Sequence, residues 1–125
     1  MSTLNKISIA IGAIPIGFGI NWFRDTSSGL SFFDLALPAS GSAHRATVEC
    51  LGAVIGVRNL FMGIGIITAG LFREKRTLGV LLLSVALVAV VDGVAMDTAT
   101  GGGAMGHWSY APVVAALGIA NLWTA

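Results

Sequence analysis

Two stretches decide the fold, residues 50–72, CLGAVIGVRNLFMGIGIITAGLF, and residues 78–96, LGVLLLSVALVAVVDGVAM. Each is an almost unbroken apolar run, and each carries one ionisable residue inside it, Arg58 in the first and Asp92 in the second. About 20 apolar residues in a helix rising 1.5 Å per residue cross the roughly 30 Å of bilayer hydrocarbon, so both runs read as membrane helices. A charge at that depth costs about 2.5–3.5 kcal/mol on insertion scales and therefore faces a partner, a wet cavity or a reaction.

The remainder of the chain agrees with the first two helices. With 55% hydrophobic and 10% charged residues and a mean hydropathy of +0.86, a 125-residue chain does not read as a water-soluble domain. Two further segments approach spanning length, and the expected fold is an all-α membrane protein, a single four-helix transmembrane bundle over residues 1–125. Its helices are expected at roughly 4–23, 48–72, 77–96 and 106–124. The first of them resembles a secretory leader, but its apolar stretch runs to Trp22 and into Arg24-Asp25 with no small-x-small cleavage site, so a retained anchor is expected.

Charge places the bundle in the membrane. The net charge of +1 offers no basic surface for nucleic acid, and the basic residues cluster only at Arg73, Lys75 and Arg76, in the tight turn between the second and third helices. Positive loops are held on the cytoplasmic side, so a multi-pass arrangement with both termini cytoplasmic is expected, in the endoplasmic reticulum if the source is eukaryotic. Lys6 agrees with that orientation, whereas Arg24 and Arg45 weigh against it. Cys50, the single cysteine, has no partner for a disulfide and is expected to be a small buried residue.

Helix packing in lipid relies on small residues, because apolar burial against another helix gains little there. Gly52, Gly56 and Gly63 share a face with Asn59 and Glu49, and Ser8, Gly12, Pro15 and Gly19 form a second stripe on the first helix. The two stripes are expected to meet, and Pro15 to kink or loosen its helix. Such faces pack within a chain or between copies, which leaves a homo-oligomer open. Arg58 lies off the glycine face, about 100° around the helix from Asn59 and on the side of Leu51, Ile55 and Met62.

A guanidinium has five donors and keeps its charge, so a carboxylate is its natural partner, with Asp92, Asp97 and Glu49 as the candidates. Counting depth from the helix ends brings the head of Arg58 close to the level of Asp92, with Asn21, Asn59, Asp97 and His107 in the same half. The other half holds few candidates for burial beyond Thr68 and Ser84. One polar pocket, open toward the non-cytoplasmic side, is therefore expected.

No catalytic triad order, HExxH, paired-cysteine site or phosphate loop is present, and no cofactor or metal is indicated. A carboxyl in a medium of low dielectric gains proton affinity, while one held by Arg stays ionised and acts as a base. That pairing suits acid-base opening of an epoxide, or isomerisation or cyclisation, on a lipophilic small molecule.

Gly56-Val57-Arg58-Asn59 followed by Val91-Asp92-Gly93, in a four-span chain of this length, resembles the small fungal and bacterial integral membrane family catalogued as a domain of unknown function, DUF4267. Some fungal relatives accompany polyketide pathways in which epoxides are opened. The resemblance implies an epoxide-hydrolase-like activity with Arg58, Asn59 and Asp92 as the residues to carry over. Glu49, Asn21 and Asp97 enter from spacing alone. The expected reading is a cofactor-independent membrane enzyme with Asp92, Arg58 and Glu49 as catalytic residues and Asn59, Asn21, Asp97 and His107 holding substrate or water. Its rivals are a carrier that uses the Arg58–Asp92 pair as a protonation switch and a structural or partner-binding subunit that uses it as an ion pair.

Overall fold

The computed structural model describes residues 1–125 and contains helices and connections only. In chain order the helices are α1 (Thr3–Arg24), α2 (Thr26–Ser31), α3 (Arg45–Leu71), α4 (Lys75–Thr100), α5 (Met105–Trp108) and α6 (Ala111–Trp123). Three of them, α1, α3 and α4, are long and apolar enough to cross a membrane, with mean hydropathies of 1.4, 1.9 and 2.5 over their most apolar windows.

The fourth expected helix is a broken one. Pro112 has no N–H to give Trp108 and its ring crowds that carbonyl, so the run over 106–124 divides into the four residues of α5 and the 13 of α6. Alone, α6 is about 20 Å long, short of the hydrocarbon thickness.

Local chemistry sets most of the helix ends. Ser2 caps α1 by accepting from the Asn5 N–H at 3.2 Å, and Asp25 caps the unforeseen helix α2 by accepting from Ser28 at 3.0 Å. After α3 the chain turns through Arg73 in the left-handed region (φ 61°). There the Arg73 N–H bonds Gly70 O at 3.1 Å and the Glu74 N–H bonds Ala69 O at 2.9 Å, the two bonds of a Schellman stop. Pro15 is buried inside α1, and the helix runs through it unbroken.

The helices pack as two antiparallel pairs, α1 on α3 and α4 on α6, while α3 and α4 meet along a thinner seam. Glycines let each pair close. A Cβ on Gly63 would come within 2.5 Å of Gly12 O and one on Gly19 within 2.8 Å of Gly56 O, so the two expected stripes do meet. The second pair repeats the device, with a Cβ on Gly79 only 2.8 Å from Gly118 O. Between the pairs lies a small core of Ile66, Leu78 and Leu82, fully buried, with Ala69, Ala86 and Val114. Outward, α3 shows Val54, Val57, Phe61 and Ile64, and α4 shows Val80, Leu87, Val91 and Val94. Small and polar residues inside with large apolar ones outside is the pattern of a protein whose solvent is lipid.

Candidate functional site

Arg58 is the 14th of the 27 residues of α3, at its middle, and it leaves the helix on the side away from α1. Across the seam, Asp92 is one residue before the buried Gly93 on α4. Arg58 Nη1 donates to Asp92 Oδ1 at 3.0 Å and Nη2 to Oδ2 at 2.8 Å, so the planar fork of one side chain meets both oxygens of the other. The Asp92 side chain is 16% exposed and that of Arg58 35%, which leaves one open flank beside the arginine. Arg58 Nε is buried and donates to no group of the protein.

Helix α5 covers the other flank. Trp108 Nε1 donates to Val90 O at 3.1 Å, a carbonyl two residues before Asp92, and its indole occupies the space that a Cβ on Gly93 would need. Tyr110 follows at the α5–α6 junction, where it occupies the N-cap position of α6. Tyr110 in turn stands 6.4 Å from the ring of His107, centroid to centroid. Gly93 and Trp108 therefore stand beside the Asp92 end of the pair.

Of the residues expected around the pair, only Arg58 and Asp92 are brought together. Glu49 is exposed and bonded to Arg45, one turn before it, at 2.9 Å, because that neighbour on the same helix is nearer than Arg58. Asn21 lies on the outer side of α1 beside Gly17, Ile20 and Arg24, and exchanges hydrogen bonds with Ser28 at 3.1 and 3.2 Å, since α2 folds back over that end of α1. Asp97 is exposed in the last turn of α4, one and a half turns beyond Asp92 and on another face.

Asn59 is buried, but on the glycine face toward α1. His107 ties the loop to α5: its Nε2 is 3.3 Å from Phe32 O and its ring lies 4.7 Å from that of Phe33. Cys50 is exposed at the start of α3, contrary to expectation, because it faces away from α1.

The expectation of one polar region also fails. Thr68 and Ser84 are exposed, while Asn5, Ser8 and Asn121 are 4%, 0% and 0% exposed at the opposite end of the bundle. Part of their signal was present in the sequence, since Asn5 continues the α1 stripe of Ser8, Gly12, Pro15 and Gly19 toward the N-terminus. Trp108 and Tyr110 had a fainter one, a glycine beside a buried charge followed by aromatics after the Gly-rich connection.

Fold and site together define an all-α protein with three helices long and apolar enough to cross a membrane, in which two glycine-packed helix pairs are clasped by an arginine–aspartate fork. The chain belongs to the family described as "Domain of unknown function (DUF4267)", which matches residues 12–121. No curated protein and no solved structure matches the chain.

Proposed function

We propose that the protein is a membrane-embedded enzyme that opens an epoxide on a lipophilic small molecule by acid-base catalysis. The observation that carries this reading is the Arg58–Asp92 fork inside two apolar helices, with the arginine side chain a third exposed. The arginine fork fixes the Asp92 carboxylate in place, and a positioned carboxylate can serve as a general base. Asp92 takes a proton from a water molecule as the water oxygen attacks a ring carbon and the carbon–oxygen bond of the epoxide breaks. The electron pair leaves on the former ring oxygen, whose developing charge the nearby Arg58 guanidinium stabilises, and the proton then passes from Asp92 to that alkoxide to complete a diol. An internal hydroxyl in place of water gives a cyclic ether. Neither route uses a cofactor or a metal.

In this reading α5 and α6 together form a fourth, broken crossing. Residues 105–123 rise about 28 Å, and broken helices are tolerated in membranes where protein covers the break. The turn with Arg73, Lys75 and Arg76 faces the cytoplasm with both termini, as expected of an endomembrane protein, and the substrate reaches the seam from the lipid.

A second reading rests on the seam itself. Because α3 and α4 meet only thinly, the fork is also suited to a purely structural clasp in a carrier or partner-binding subunit. Purified protein incubated with a panel of apolar epoxides separates the two. Turnover without any added partner, lost in folded Asp92→Asn, supports the enzyme. A folded wild type that turns over no epoxide of the panel favours the clasp.

A further inference from the structure

At the end of the bundle remote from the Arg58–Asp92 fork, three polar side chains meet where α1 begins and α3 and α6 finish. Asn5 Nδ2 donates to Gly70 O at 2.7 Å. Asn121 Nδ2 donates to Ser8 Oγ at 3.0 Å and to Leu117 O at 2.8 Å, and Ser8 Oγ donates to Leu4 O at 2.9 Å. The carbonyl partners fix both amide orientations, because only the nitrogen end of each amide can donate to Gly70 O or Leu117 O. What remains on each side chain is an acceptor, and Asn5 Oδ1 and Asn121 Oδ1 are both buried with no donor from the protein. An unpaired buried polar atom costs about 1–3 kcal/mol, so each of these two acceptors calls for a donor that the protein does not supply.

We infer that Asn5, Ser8 and Asn121 form a buried binding site for one water molecule, which donates to the two amide oxygens and joins α1 to α6. Asn5 and Ser8 stand about one turn apart on the same face of α1, and Asn121 is bonded to Ser8, so the amide oxygens share one neighbourhood. A single water reaches acceptors on two sides, and buried waters commonly make two to four such bonds. Charge decides against the other donors. The oxygens offered are all neutral, and this end of the bundle carries Lys6, Arg73, Lys75 and Arg76 against Glu74, an excess of positive charge that disfavours a cation more than a neutral donor. An anion would bring further acceptors to atoms that accept already. The site is independent of the epoxide reading.

Magnetisation transfer from water to the side-chain amide protons of Asn5 and Asn121, in asparagine-labelled full-length protein in detergent, tests the site. Long-lived water cross-peaks are expected at both residues in the wild type. In Asn121→Leu the cross-peak at Asn5 is expected to vanish while the Asn5 amide shift, set by Gly70 O, persists. Absence of water cross-peaks at both residues in the folded wild type overturns the site. Stability that rises with sodium or potassium chloride, but not with choline chloride at equal ionic strength, reassigns it to a monovalent cation and overturns the water.

Discussion

Arg58 and Asp92 join α3 to α4 through two parallel hydrogen bonds of 3.0 and 2.8 Å, at a seam where those helices otherwise meet thinly. The fork therefore has a mechanical role whatever chemistry it performs. Removing one partner leaves the other charged and partly desolvated. Asp92→Asn is expected to lower stability by about 1–3 kcal/mol, below the roughly 3–5 kcal/mol of a fully buried pair because Arg58 is a third exposed. Arg58→Met with Asp92→Leu removes both charges and is expected to recover most of that loss. Thermal unfolding in detergent measures both.

Gly93 makes room for the Trp108 indole beside Asp92. A methyl there meets the ring, so Gly93→Ala is expected to displace Trp108 from Val90 O and lift α5 from α4. The consequence is a shift in tryptophan emission that is absent when the same substitution is made in Trp108→Phe. Turnover should fall with it, because Trp108 packs beside Asp92 through Val90 O and Gly93.

Close packing of the first helix pair depends on particular glycines. Gly63→Ala sets a methyl against Gly12 O and the Ile16 side chain, and the backbone contact cannot rotate away. A loss of about 1–3 kcal/mol, the usual cost of overpacking, is expected. Gly17→Ala, on the same pair but with nothing within 4 Å, should leave stability unchanged or slightly raised, since Ala is the better helix former. Parallel denaturation curves of the two variants provide the check.

Glu49 and Asp97 stand apart from the fork, one bonded to Arg45 and the other exposed at the end of α4. Glu49→Gln and Asp97→Asn are expected to keep epoxide turnover within about twofold of wild type, as surface substitutions away from a site do. A hundredfold loss in either would mean that the site rearranges when substrate binds.

Cys50, exposed at the start of α3, reports orientation. In sealed vesicles a membrane-impermeant maleimide is expected to label it from the side opposite the Arg73–Arg76 turn, and protection there with labelling from the turn side would invert the bundle.

The long helices were legible because hydropathy over 20 residues is a strong, additive signal, and the fork because two opposite charges in apolar runs must answer each other. What escaped depended on local backbone chemistry or on three-dimensional neighbours. Apolar composition across 106–124 hid the break that Pro112 imposes, and depth counting assigned Glu49, Asn21 and Asp97 to one half of the bundle without fixing the face on which each stands. Asn59 was read on the glycine face, where it is, but that face turns toward α1 and away from the fork. The Asn5–Ser8–Asn121 cluster joins residues 113 positions apart, a relation that no spacing rule within one helix reveals.

The most direct test of the proposed chemistry is product formation from an apolar epoxide in oxygen-18 water, comparing the wild type with the exchanged pair Arg58→Asp/Asp92→Arg, which keeps an ion pair across the seam but moves the base to α3. The wild type is expected to yield diol carrying one heavy oxygen, and the exchanged protein, folded and equally stable, to yield at least a hundredfold less. Equal product from both, or none from a folded wild type, would contradict the assignment of Asp92 as the base and leave the fork as a clasp.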